Sequence, residues 1–135
     1  ALDGRILTPS ALRGRTVLIE FWTTWCLPCV REIEALRKLH YAHAGESFEI
    51  VGVSLDQRDD MPRKDFEKWL AERRIAWPQV FEGGGFDSRL ARSFDVREVP
   101  FHVLVGPDGT ILATGLQGDE ISAAVATALR IARDP

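Results

Sequence analysis

The sequence predicts an α/β domain with a central mixed β-sheet flanked by helices on both faces. Three observations carry this. Nearly continuous apolar runs alternate with stretches of helical periodicity, as in a βαβ unit. Two late apolar runs flank Pro107-Asp108-Gly109, which is turn chemistry. The last stretch is amphipathic with acids at its start and arginines at its end.

Taken in order, Thr16 to Trp22 is β-branched and aromatic and suits a strand covered on both faces. Val30, Ile33, Leu36, Leu39 and Tyr41 then recur near helical spacing, with Glu32 and Glu34 early, His40 and His43 late, and Gly45 as a stop. Phe48 to Leu55 reads as a second buried strand, parallel to the first through a right-handed crossover. Pro62 opens a helix carrying Phe66, Trp69 and Leu70. A short strand from Trp77 to Phe81 and a helical stretch around Leu90 and Phe94 come next, on either side of Gly83-Gly84-Gly85. That glycine run lacks the spacing of a dinucleotide fingerprint and the Lys-Ser/Thr of a phosphate loop, so a flexible loop is expected. Phe101 to Val105 and Thr110 to Ala113 form a hairpin, and Ile121, Ala124, Val125, Ala128 and Leu129 mark the final helix.

With 135 residues, 45% of them hydrophobic, residues 1–135 are expected to form a single domain. A formal charge of -3 with both signs scattered supplies no basic stripe for nucleic acid. No apolar run reaches the ~20 residues of a membrane span, and the start lacks the apolar core of a signal peptide. The chain begins without methionine, which leaves room for a leader or a membrane tether ahead of Ala1.

The only two cysteines, Cys26 and Cys29, lie at the junction of the first strand and first helix. A structural framework would spread its cysteines to close long loops; this pair closes a very short one, so its role is chemical. Backbone N–H groups at the helix start stabilise a thiolate at Cys26, and Pro28 fits the first turn, where its missing N–H costs nothing. Cys29, a turn further in, is expected to be less reactive. The implied order is attack by Cys26, a mixed disulfide, and resolution by Cys29. The competing reading is half a zinc site. Zinc wants four ligands, however, and His40 lies about 16 Å along the helix from Cys29 at the usual rise. No metal is expected, and no cofactor beyond the redox-active Cys26-Cys29 disulfide.

Phe21-Trp22-Thr23-Thr24-Trp25-Cys26-Leu27-Pro28-Cys29 resembles the active site of the thioredoxin superfamily, most closely its TlpA/ResA-like thiol-disulfide oxidoreductases. Asp3-Gly4, Leu12 to Trp22, Gly52 to Asp56, Phe94-Asp95-Val96, Val99-Pro100-Phe101 and Gly106 to Gly109 follow the same family order. The resemblance implies a thioredoxin-like fold and a cis-proline at Pro100, with the Val99 backbone facing an extended polypeptide. Trp25, Leu27, Pro28, Val99 and Pro100 are the expected substrate-binding residues. Trp22, Trp69 and Trp77 are assigned to the core. Many relatives carry a proline five residues after the second cysteine; Glu34 stands there in this chain, so a straighter first helix is expected.

Glu20 interrupts the apolar run, where an unpaired carboxylate is expensive. Its pKa is raised or it has a partner. The resemblance suggests a proton relay to Cys29; the alternative is an ion pair with a lysine or arginine from a neighbouring helix. His102 follows Pro100 by two positions, near the site, although a lone histidine is more often just hydrogen-bonded.

The expected function is thiol-disulfide exchange with protein disulfide or dithiol substrates, as a reductant recharged by an upstream thiol-disulfide electron donor. A monomer outside the cytoplasm of a bacterium is the expected form. One alternative is a thioredoxin-fold peroxidase, although Ile19 replaces the proline of its Pro-x-x-x-Thr-x-x-Cys pattern. The other is a redox-inactive interaction or copper-handling module of a larger protein.

Overall fold

Strand β1 (Thr16–Trp22) is the axis of the computed structural model, which describes residues 12–134. The expectation attached to Asp3-Gly4 lies outside the described residues. β1 pairs in parallel with β2 (Phe48–Ser54) and antiparallel with β4 (Phe101–Val105). β3 (Gln79–Phe81) and β5 (Ile111–Thr114) complete a mixed sheet in the order β3-β2-β1-β4-β5. β2 is buried along its whole length, as its unbroken apolar run required.

Among the described residues five α-helices accompany this sheet: α1 (Leu27–Arg31), α2 (Ile33–Ala42), α3 (Arg63–Glu72), α4 (Arg89–Ser93) and α5 (Asp119–Arg133). Strand alternation sends Leu18, Ile50 and Leu104 toward one face, where Leu36 and Leu39 of α2 and Ile121, Val125 and Leu129 of α5 cover them. Trp22 continues this face into a second cluster with Cys26, Cys29, and Phe66 and Leu70 of α3. Phe21, Val53 and Val103 point the other way, toward Ala91 of α4 and Val96. Helices therefore lie on both faces, but unevenly. Among the described residues the α4 side retains an apolar groove along Val17, Ile19, Val51 and Val80.

Four local expectations change. The helix after the cysteines is not straighter: it breaks at Glu32, whose φ of -86° and ψ of -5° separate α1 from α2, two residues before Glu34. The break falls where the Glu32 carboxylate turns into the interior toward His102. Tyr41 leaves the apolar stripe and is 81% exposed, because Ile33, Leu36 and Leu39 already complete the buried face. β3 begins at Gln79 rather than Trp77, since Pro78 has no N–H to donate to a ladder. Gly83-Gly84-Gly85 is ordered structure, with Gly84 bridged to Gln57, Arg58 N–H donating to the Gly83 carbonyl, and Gly85 opening a 3-10 turn to Asp87. Gly83 and Gly85 have φ of 84° and 62°, a region that favours glycine.

Trp22 Nε1 donates to Gln79 Oε1 at 2.9 Å across the space above Gly52. A Cβ on Gly52 would overlap the Gln79 amide, so glycine is required there by close approach. Gly52→Ala is expected to displace Gln79, break the Trp22 bond and lower stability by about 1–3 kcal/mol in urea unfolding.

Candidate active site

The cysteine turn is held from below by the end of β2. Leu55 N–H donates to the Trp22 carbonyl at 2.8 Å, and the buried Asp56 carboxylate accepts from Thr24 N–H at 3.1 Å and from the Thr24 hydroxyl at 2.6 Å. Ser54 Oγ donates to the same carboxylate at 2.6 Å. Charge-assisted bonds of this kind are the strong ones, and they lock Thr24, directly ahead of Trp25-Cys26.

Cys26 caps α1. Its Sγ accepts the Cys29 N–H at 3.2 Å, one of the donors that a helix start leaves without an intrahelical partner, and Pro28 sits within the first turn as its chemistry favours. Cys26 and Cys29 form a disulfide with a Cα–Cα distance of 5.2 Å. Cys29 is fully enclosed, whereas Cys26 keeps 6% exposure and its Sγ lies 3.8 Å from the Val99 carbonyl oxygen. The Val99–Pro100 peptide is cis, and both residues are half-buried. Trp25 and Leu27 stand out at 66% and 57% exposure, with Pro28 exposed beside them. Trp25, Leu27 and Pro28 thus flank Cys26 along the chain, and the Val99 carbonyl approaches its sulfur. Trp22 and Trp77 are buried as expected, while Trp69 is only half-buried against Trp22 and under the Arg73 guanidinium.

Glu20 is 2% exposed, and its nearest charged partners are not the lysine or arginine considered from sequence. They are Glu32 and, through it, His102. Burial pushes the Glu20 carboxyl well above its usual range, and a hydrogen bond with Glu32 and the Glu32 charge push it the same way. Burial also raises Glu32, but hydrogen bonds from His102 and Glu20 and the His102 charge outweigh it, and the net shift is downward. His102 faces Glu20 across the β1–β4 pair and places Nε2 2.9 Å from Glu32 Oε1 and Nδ1 3.1 Å from the Leu116 carbonyl.

Sequence reasoning passed over Glu32 as an ordinary acid in a first helical turn. Its spacing of three from the buried Cys29 was the available signal. Asp56 was noted only as part of a family pattern. One ligand atom from each of Glu20, Glu32 and His102 lies within 4.8 Å of the others, so the trio has donors for a cation. As arranged, it is a proton-linked cluster: Glu32 Oε1 and His102 Nε2 are in direct hydrogen-bond contact, and a cation between them would have to displace that proton.

The AhpC/TSA family matches residues 1–114. The thiol-disulfide oxidoreductase ResA of Bacillus thuringiensis subsp. konkukian is 25% identical over 111 residues, covering 82% of this chain and 60% of its own length. The chain thus spans about 60% of the curated ResA relatives it matches. Among solved structures, the thioredoxin domain of a thiol-disulfide oxidoreductase from Bacteroides vulgatus is 30% identical with a TM-score of 0.81, over 95% of this chain and 89% of that one. A thiol:disulfide interchange protein from Bacteroides sp. is 30% identical with a TM-score of 0.78, over 96% and 82%. The mixed sheet, the disulfide at the strand-to-helix turn and these likenesses agree: the chain belongs to the AhpC/TSA family, as a TlpA/ResA-like thioredoxin domain.

Proposed function

We propose that this chain is a protein thiol-disulfide oxidoreductase in which Cys26 attacks and Cys29 resolves. The observation that carries the reading is the placement of Cys26 Sγ, at the start of α1, accepting a backbone N–H and bordered by Val99 and exposed Trp25. A thiolate there gains a donor, and an extended partner gains an apolar rim on which to dock.

In the reducing direction, Cys26 thiolate attacks one sulfur of a partner disulfide. A Cys26–partner bond forms, and the other partner sulfur leaves as thiolate. Cys29 thiol then gives its proton to the Glu20 carboxylate, and the resulting thiolate attacks Cys26 Sγ, releasing the partner's second thiolate. Two electrons pass to the partner. The domain ends as the Cys26–Cys29 disulfide with a neutral Glu20, which is the combination of groups favoured by burial at this site. An upstream dithiol donor reverses the steps to recharge the pair, and no further cofactor enters.

Trp25, Leu27, Pro28, Val99 and Pro100 contact substrate in this scheme, and the domain acts as a monomer with reductant character. Among the described residues no helix is long and apolar enough to cross a membrane. The ResA likeness supports a working place outside the cytoplasm of a bacterium.

Cys29→Ser is expected to accumulate mixed disulfides through Cys26 in the native host, whereas Cys26→Ser captures few; non-reducing gels with mass spectrometry read the difference. If neither variant captures partners and the wild type fails to reduce a model protein disulfide, the reading is wrong. Oxidation of Cys26 by peroxide far faster than its exchange with protein disulfides would instead favour a peroxidase.

Glu20→Gln is expected to slow resolution by up to ~100-fold and flatten its pH dependence in stopped-flow measurements. The same variant has a stability consequence. A folded-state carboxyl raised above its unfolded value of ~4.3 binds its proton more tightly in the native state, so its contribution is lost as pH rises through the folded value. Glu32, shifted down, contributes in the opposite sense and loses its stabilisation as pH falls. Urea unfolding at pH 5 and pH 8 should therefore show Glu20→Gln gaining on the wild type as pH rises; a constant difference would remove Glu20 from the titrating set.

A further inference from the structure

Resolution by Cys29, as read above, requires Glu20 to exchange a proton, yet Glu20 is sealed at 2% exposure. Its connections decide where that proton goes. Glu32 is the member of the cluster that reaches solvent, with its side chain 20% exposed and lining the groove between α2 and α5. His102 is 1% exposed and pinned at both ring nitrogens.

Hydrogen-bond chemistry assigns the protons. The Leu116 carbonyl only accepts, so Nδ1 of His102 carries a hydrogen. Nε2 faces a carboxylate oxygen, so one proton lies between His102 and Glu32. Glu20 Oε2 is buried with no hydrogen-bond partner. An ionised Glu20 would leave anionic charge on an oxygen without a donor, whereas a neutral acid leaves only a carbonyl oxygen unpaired. The consistent arrangement is a neutral Glu20 donating to Glu32 while His102 Nε2–H donates to the same carboxylate.

We propose that His102 is a positioning residue for resolution: by holding Glu32 as an anion through Nε2, it keeps the exchangeable proton on Glu20, on the β1 face that Trp22 continues into the cysteine cluster, rather than on Glu32 at the groove. The inference rests on the oxidoreductase reading and extends it to a residue seventy positions from Glu32 in the chain. His102 touches neither sulfur nor partner and acts through Glu32 alone.

The groups facing the trio from each packed element are few. β1 supplies Glu20, the α1–α2 junction Glu32 and β4 His102. Opposite Glu20 on β2 stands uncharged Gly52. Lys38 and His43 of α2 and Asp119 of α5 line the outer groove. Among the described residues no lysine or arginine forms an ion pair with Glu20 or Glu32, so His102 is the group whose hydrogen bond holds the Glu32 carboxylate.

The test is the pH profile of mixed-disulfide resolution, measured by stopped flow in the wild type, His102→Phe, His102→Gln and Glu32→Gln. Without the His102 donor, Glu32 takes the proton more readily and Glu20 loses its anionic neighbour. The inflection due to Glu20 should move down by about one pH unit or more in His102→Phe. His102→Gln, which retains an amide donor, should recover part of the shift. Glu32→Gln should move the inflection the same way, and adding His102→Gln to it should shift the profile no further. A profile unmoved by His102→Phe and His102→Gln, while Glu20→Gln still abolishes the inflection, overturns the positioning role and leaves the relay intact. Loss of the inflection in none of the variants, Glu20→Gln included, sinks the relay itself. Should His102→Phe fail to fold, infrared spectroscopy of the wild type at neutral pH decides. A neutral carboxylic acid band that disappears in Glu20→Gln and weakens in His102→Gln supports the proposal, and a band indifferent to His102→Gln overturns it.

Discussion

Everything at the cysteine turn depends on β1 being paired on both sides. β2 on one flank and β4 on the other fix β1 in register over most of its length, and the chain leaves the sheet at Trp22 with its direction set. Asp56, at the end of β2, then anchors Thr24. Cys26 is thus positioned by backbone pairing and a buried carboxylate, together with its packing in the Trp22, Phe66 and Leu70 cluster. Anchors that do not involve the sulfur itself are what preorganisation of a thiol site calls for.

Central placement of β1 has a second consequence. A polar side chain on a doubly paired, doubly covered strand has no route to water, so an acid at position 20 must be neutral or find partners from other elements. Glu32 and His102 are those partners, one from the helix break and one from β4. The break between α1 and α2 and the burial of Glu20 belong to one arrangement, since a carboxylate on a continuous helix surface and one turned into the sheet face call for different local geometry.

Much of the sheet was legible because its signals are local. The β1 run Thr16–Trp22 and the Pro107-Asp108-Gly109 turn carry their conformation in residue type, and the short spacing of Cys26 and Cys29 carries their chemistry. Glu32 was not legible, because an acid early in a helix satisfies the helix dipole equally well from outside. Only the fold brings His102 to it. The straight helix expected from Glu34 failed for a related reason: absence of proline removes one cause of a kink but does not supply the inward-facing partner that creates another. Gly83-Gly84-Gly85 fits no phosphate-loop pattern, which left a flexible loop as the expectation, yet Gln57 and Arg58 supply backbone pairing that no local pattern announces.

In the proposed relay, the buried Glu20 also bears on the direction of electron flow. Reduction of the pair places a proton on Cys29, and if that proton comes from Glu20 the transfer is internal and solvent protons are not consumed at that moment. Solvent enters when Glu20 is reprotonated. At pH values where Glu20 refills, the couple takes up an additional proton and its potential falls with pH by ~30 mV per unit for each proton in a two-electron couple. Where Glu20 stays empty, that dependence disappears. In the proposed relay, the balance between reductant and oxidant is therefore set partly by which carboxyl in the cluster holds the proton, and not by the Leu27-Pro28 loop alone. That ties the thermodynamic character of the cysteine pair to Glu32 and His102, residues that never meet the partner protein in this scheme.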